Sequence, residues 1–320
     1  DLAALAIAQT EGDPIEAAFL LRAYRSTLPR LGYTLPAAGN RMRVTRRISA
    51  AFKDVPGGQV LGRTRDYTQR LLRVDGMPES RDDDPEPEGG PAEPPAFPSV
   101  VEALREEGVV PPAGEPAGQP FDITREAMRF PAPRSGRLQA LSRGETGFMV
   151  GVAYSAMRGF GVAHPVIGEL RTGALPVRIL HPLTGDPVTV GSVGATEVQA
   201  VNHSAGGMGG MTIVSGADGT GESPASRFDL GYGFAFGRHE RKAIAMAILD
   251  MSLSIPGNTG QAADEEFVLL HCDALESSGF VEHLKMPHYV TFQSALDRVR
   301  FRRLAQLERA EVAGARADRR

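Results

Sequence analysis

Residues 166 to 201 carry the pattern that most limits what this chain can fold into. Ile167-Gly-Glu-Leu-Arg171, Val177-Arg-Ile-Leu180, Val188-Thr-Val190 and Val198-Gln-Ala-Val201 read as short strands rich in β-branched and aliphatic residues. Gly173, Gly185-Asp186-Pro187 and Gly194 interrupt the run, which predicts hairpin turns at all three places. The gaps are far too short for a crossover helix, so these strands must pair antiparallel. Gly231-Tyr-Gly-Phe-Ala-Phe-Gly237 adds a further short, buried strand.

Helix signals flank the sheet. Asp13-Pro14-Ile15-Glu16 opens a helix by an N-cap, a proline at the first helical position and a capping box. That helix runs through Phe19, Leu20, Leu21 and Tyr24 and ends before Pro29. Further helices are expected over 135–143, over 144–158, along the stripe Ile244, Ala247, Ile248 and Met251, and over 292–307. The fold class is therefore α+β. An N-terminal helical region with a basic strand and turn covers 1–76. A core of antiparallel sheet and C-terminal helices covers 121–309, and 310–320 is tail. Between them, 77–120 is an acidic Pro/Gly-rich linker that buries too little surface to fold, apart from a helical turn or two over 99–107. A Gly- and Ser-rich insertion spans 203–226. The sequence starts at Asp1, in what reads as mid-helix, so an upstream segment of a longer chain is expected.

Net charge is only −4, but it is unevenly distributed. Residues 22 to 73 hold twelve Lys plus Arg against two acids, Asp54 and Asp66, whereas 76 to 126 hold three Arg against thirteen acids. An anionic ligand belongs with the first block. There, Val44, Ile48 and Phe52 favour a strand, and its basic residues are dense enough to place it outside the core. Arg43, Arg46, Arg47 and Lys53 lead into Val55-Pro56-Gly57-Gly58, whose paired glycines let backbone amides approach an anion. The stretch matches neither the P-loop nor the dinucleotide fingerprint. One cysteine excludes a disulfide framework and fits a reducing cytoplasm. No apolar run reaches membrane-spanning length, and neither a membrane nor a nucleic-acid partner is expected.

The sharpest chemical signal is His283 and His288. Five residues apart on an unbroken helix, their rings would diverge by about 140°. Pro287 disfavours helical geometry at Met286, so the helix should stop near Lys285 and free His288 to swing back. The spacing suits zinc, but two ligands need company: His271, Cys272, a carboxylate, water or another chain.

Several blocks resemble one family in the same order. They include Glu16-Ala-Ala-Phe-Leu-Leu-Arg-Ala-Tyr-Arg-Ser-Thr-Leu-Pro-Arg30, Lys53-Asp-Val-Pro-Gly-Gly-Gln-Val-Leu-Gly62, Arg143-Gly-Glu-Thr-Gly-Phe148 and Gly279-Phe-Val-Glu-His-Leu-Lys-Met-Pro-His-Tyr-Val290. Together they are similar to the carbon–phosphorus lyase core complex subunit PhnI. The resemblance implies a cytoplasmic phosphonate-catabolism protein that works with PhnG, PhnH and PhnL. The family converts MgATP and an alkylphosphonate into ribose 1-phosphonate 5-triphosphate plus adenine, and the subunit alone is associated with nucleosidase activity. It also implies binding to PhnJ, the radical S-adenosylmethionine subunit, and places the family's two zinc-binding histidines on His283 and His288. The basic block, with Gly57 and Gly58, then becomes the candidate triphosphate site. Asp54 and Asp66 become candidates for the ribose or Mg²⁺, and Glu145 a further one. The sequence departs from the family at Arg63, at Gln69 and after Asn202. The alternative implied function is a non-catalytic scaffold that binds the radical subunit through a structural zinc.

Overall fold

A computed structural model of the chain describes residues 2–62, 64, 97–114, 118–160, 165–203 and 228–317. Asp66, Arg63, Gln69 and the 204–226 insertion lie outside the described residues. In chain order the elements are α1 (Leu2–Gln9), α2 (Pro14–Ser26), β1 (Arg43–Ile48), α3 (Val100–Glu106), α4 (Arg134–Arg143) and α5 (Thr146–Ser155). They continue with β2 (Val166–Leu180), β3 (Pro187–His203), β4 (Phe228–Phe236), α6 (Glu240–Ser254), α7 (Glu265–His271), α8 (Ala274–Glu282) and α9 (Tyr289–Ala317). The chain divides into two compact units, Asp1–Ala274 and Leu275–Arg320.

In the first unit, four antiparallel strands form a meander in the order β1-β2-β3-β4. The α+β class holds. The strand count does not follow the glycines, however. Only the turn between Leu180 and Pro187 exists; Gly173 and Gly194 lie inside β2 and β3. At Gly173 a Cβ would overlap the Arg43 carbonyl oxygen, so this glycine admits a neighbouring backbone instead of ending a strand.

Helix α6 covers one face of the sheet. Leu170, Val198, Ala200 and Ala235 pack there against Ala243, Ala247 and Met251, which bears out the apolar stripe. Gly231 and Gly233 let α6 approach so closely that a Cβ at either would overlap a carbonyl oxygen of the helix, Ala247 or Ala243. The edge strand β4 is tied to the same helix. Tyr232 N–H donates to Asp250 Oδ2 at 2.9 Å, and Phe234 N–H points at Met246 Sδ at 3.2 Å. These contacts occupy donors that an open edge would leave for another chain. Behind α6, helices α4, α5 and α7 build the largest apolar cluster around Leu141, Met149, Leu249, Val268 and Cys272.

The opposite face is covered by α3, whose Val100, Val101 and Leu104 are buried with Val55 and Val201. Ser99 caps this helix, so the helical turns expected inside the linker are present and packed. Asp13 caps α2 through Ile15 N and Glu16 N, with Pro14 in place. The reciprocal half of the expected box is replaced: Asp13 N–H donates to the Thr10 carbonyl at 3.0 Å. In the second unit, Met286 adopts extended geometry (φ −70°, ψ 151°) ahead of Pro287, as the sequence requires. The closing helix then runs to Ala317, past the expected tail boundary at 310.

Candidate functional site

The basic strand delivers its side chains to two different faces. Arg46 turns toward α6, where its Nε donates to Glu240 Oε1 at 2.8 Å and its Nη1 to the Leu61 carbonyl. Arg47 points to the other face and is fully buried. Its Nε donates to Glu169 Oε1 at 2.5 Å, Nη1 to the Pro56 and Gly58 carbonyls at 2.7 and 2.8 Å, and Nη2 to the Pro98 carbonyl at 2.8 Å. The guanidinium also lies 5.0 Å from the Phe97 ring centre. The expected outward position of these arginines is therefore corrected. Burial is tolerated because carboxylates and carbonyls answer the charges.

The glycine pair has a defined geometry. Gly58 N–H returns to the Val55 carbonyl at 2.8 Å, with Pro56 and Gly57 between them and Gly57 at φ +83°. This is a type II turn, which needs glycine at its third position. One of the two amides proposed for an anion is thus committed to the turn. Lys53, Asp54 and Gly57 are exposed at the turn, and Arg43 is exposed at the start of β1.

Beneath the turn lies a polar row. Arg47, Arg171 and Glu197 occupy successive register positions on β1, β2 and β3, and Glu169, Gln199 and Tyr232 form the next row on β2, β3 and β4. Glu169 is the hub. Besides Arg47, it accepts from Arg171 Nη2 at 3.0 Å and from Val100 N at 3.2 Å. Glu197 accepts from the Tyr232 hydroxyl at 3.0 Å. Burial raises the Glu197 carboxyl above the usual carboxylate range, against the Tyr232 bond and the Arg171 charge that pull it down. Burial and the neighbouring Glu197 raise Tyr232 as well.

In the second unit, the His283 and His288 ring centres lie 5.6 Å apart, with the rings inclined at 58°. Nδ1 of His283 faces the Phe280 carbonyl and Nδ1 of His288 faces the Met286 carbonyl at 2.5 Å. A carbonyl only accepts, so in a neutral ring this contact puts the proton on Nδ1 and leaves the Nε2 lone pair to a metal. Two imidazoles on one tetrahedral zinc place their ring centres about 5 Å apart, given Zn–N near 2.0 Å. The observed ring separation is close to that value. Among the described residues no group of three His, Cys, Asp or Glu side chains could hold a metal. Cys272 is a poor ligand as it stands, because burial pushes its thiol up to about 12. Glu145 serves as the N-cap of α5, accepting from Gly147 N and Phe148 N at 2.9 and 2.7 Å.

The model of the family described as "Bacterial phosphonate metabolism protein (PhnI)" matches residues 1–306, which include both the turn and the histidine pair. The chain belongs to the PhnI family. It is 49% identical over 93% of its length, and 79% of the relative's, to the putative C-P lyase subunit protein HtxH of Stutzerimonas stutzeri. It is 44% identical, again over 93% of its length, to the alpha-D-ribose 1-methylphosphonate 5-triphosphate synthase subunits PhnI of Rhizobium meliloti and Escherichia coli. Those two are covered over 78% and 80% of their lengths.

Sequence reasoning about this PhnI-family chain missed Glu169, Arg171, Glu197 and Tyr232. Their alternation with Leu170 and Val198 was visible, but polar residues at period two ordinarily mark a solvated face. A signal was nevertheless present: acids and arginines set at matching alternation inside β-branched runs.

Proposed function

We propose that the chain is a cytoplasmic subunit of a bacterial carbon–phosphorus lyase complex. With PhnG, PhnH and PhnL it displaces adenine from MgATP by an alkylphosphonate, giving ribose 1-phosphonate 5-triphosphate, and alone it acts as a nucleosidase. The carrying observation is the 44% identity, over 93% of the chain, to two proteins named as subunits of that synthase.

Loss of adenine from C1′ builds positive charge on the ribose and leaves the triphosphate to be neutralised. Asp54, exposed beside the turn, is the candidate for the ribose or Mg²⁺, and Asp66 is its companion candidate. Exposed Arg43 and Lys53 and the Gly57 amide supply the cationic side. Arg46 and Arg47 hold the strand and the turn in position from within, so their contribution is geometric. His283 and His288 would hold zinc through Nε2, with the shell completed across the contact with PhnJ. Bound there, the ion supplies a fixed positive centre for an anionic oxygen.

The test is adenine release from MgATP by the assembled complex, with and without methylphosphonate. Wild type should release adenine in a phosphonate-dependent way, and Asp54→Asn should slow it by about 100-fold or more if Asp54 acts on the ribose. A wild-type complex that releases none removes the reading. A second reading, a scaffold joined to PhnJ through structural zinc, is favoured by the incomplete histidine site. Under it, Asp54→Asn leaves release unchanged, while the histidine variants dissolve the complex.

A further inference from the structure

Two carboxyl groups stand on the sheet face opposite α6, and the fold treats them differently. Glu169 of β2 is answered by two guanidiniums and a backbone amide. Glu197 of β3 has one hydrogen-bond partner among the described residues, the Tyr232 hydroxyl, 3.0 Å from Oε1. Its other oxygen, Oε2, lies where a Cβ on Gly39 would stand. The short turn Gly39–Arg41 can therefore lie against this carboxyl only because position 39 is glycine. The next residue of that turn, Asn40, keeps its Oδ1 buried with no hydrogen-bond partner among the described residues.

Aromatic rings border the carboxyl. Glu197 pairs directly across the ladder with Phe234, so the two side chains share a face. The Phe234 and Phe236 rings meet edge to face with 5.5 Å between centres, and Phe236 is 65% exposed at the end of β4. A planar base can lie on such a surface, and an acceptor short of a donor, such as Asn40 Oδ1, suits its amino group. Arg47, Arg171 and Glu197 follow one another across β1, β2 and β3. Two strand spacings, about 10 Å, therefore separate the arginine that anchors the glycine turn from Glu197. A nucleoside triphosphate covers that span between its phosphates and its base.

We propose that Glu197 is a further catalytic residue, the acid that protonates the departing purine, with Tyr232 positioning its carboxyl and Phe234 and Phe236 bordering the base. This rests on the function proposed above. As a phosphonate oxygen bonds to C1′, the bond from C1′ to the purine nitrogen breaks and its electron pair stays with the purine. The Glu197 proton passes to a purine ring nitrogen, adenine leaves neutral, and the carboxylate regains a proton from water. Burial keeps the carboxyl above the usual range, with Glu169 adding to the shift and Tyr232 and Arg171 opposing it. A carboxyl so placed still holds a proton where an exposed one has lost it.

The assembled complex, supplied with MgATP and methylphosphonate, tests the assignment. Wild-type adenine release should fall as pH rises through the folded Glu197 value, since only the protonated carboxyl donates. In Glu197→Gln, release should be about 100-fold slower or more, and that fall with pH should be gone. Tyr232→Phe removes a hydrogen bond that favours the charged carboxyl, so the fall should move to higher pH. The proposal is overturned if Glu197→Gln releases adenine at the wild-type rate, or more slowly but with the wild-type pH dependence. If Glu197→Gln does not assemble, Tyr232→Phe decides, and a fall that stays at the wild-type pH overturns it. A wild-type complex that releases no adenine removes the parent function and this acid with it. Wild-type release with an unaltered pH dependence in both variants removes the acid alone.

Discussion

Single residues in this chain are governed by partners distant in sequence. Arg47 looked like an outward ligand because its neighbours are basic, yet its carboxylate, Glu169, lies 122 positions away and pulls it inside. Glu197 is the titrating member of the same face. Its folded carboxyl sits above the ordinary range, chiefly through burial, so folding favours the protonated form. That contribution is complete below the unfolded value of about 4 and is lost as pH rises through the folded value. Glu197→Gln keeps a neutral acceptor for Tyr232 and cannot ionise. Its stability relative to wild type should therefore improve as pH climbs from about 4 toward 8. Chemical denaturation across that range is the check. A gap that stays constant with pH would mean that Glu197 does not titrate on folding.

Elements were legible wherever a pattern is local. The α2 cap, the α6 stripe and the break before Pro287 all follow from residues within one or two turns of each other. Glycines inside the strand region were not legible in the same way. A glycine that ends a strand and one that admits a neighbouring backbone look alike in sequence, and Gly173, Gly194, Gly231 and Gly233 are all of the second kind or lie within a strand. The site divided along the same line. The break between the two histidines was readable because Pro287 stands between them, whereas the Glu169 hub needs β1, β2 and α3 to meet. The glycine reading makes a paired prediction. Gly233→Ala forces α6 away from β4 and should cost about 1–3 kcal/mol or more. Gly151→Ala, on α5 with open space around it, should be neutral or stabilise by about 0.5–1 kcal/mol. Thermal or urea unfolding of both variants tests the contrast, and equal effects would mean that the α6–β4 approach is not tight in solution.

For the whole molecule, the question is what completes the histidine pair. The His283 and His288 ring centres lie 5.6 Å apart, and no group of three possible ligands forms among the described residues. Around them Phe280, Val281, Leu284, Met286, Tyr289 and Val290 are all exposed. A cluster of apolar side chains left in water marks a contact surface, and under the proposed zinc role the missing ligands would come across it. Two imidazoles alone hold zinc weakly, whereas a four-ligand shell holds it firmly. The isolated chain should thus carry little zinc after dialysis, and the assembled complex about one per chain. His283→Ala or His288→Ala should empty the site in the complex while leaving unfolding of the isolated chain nearly unchanged, because both side chains are exposed. Elemental analysis of chain and complex decides the matter. Stoichiometric zinc in the isolated chain would place the missing ligands within it, and a complex without zinc would leave the pair as two imidazoles at the end of a helix.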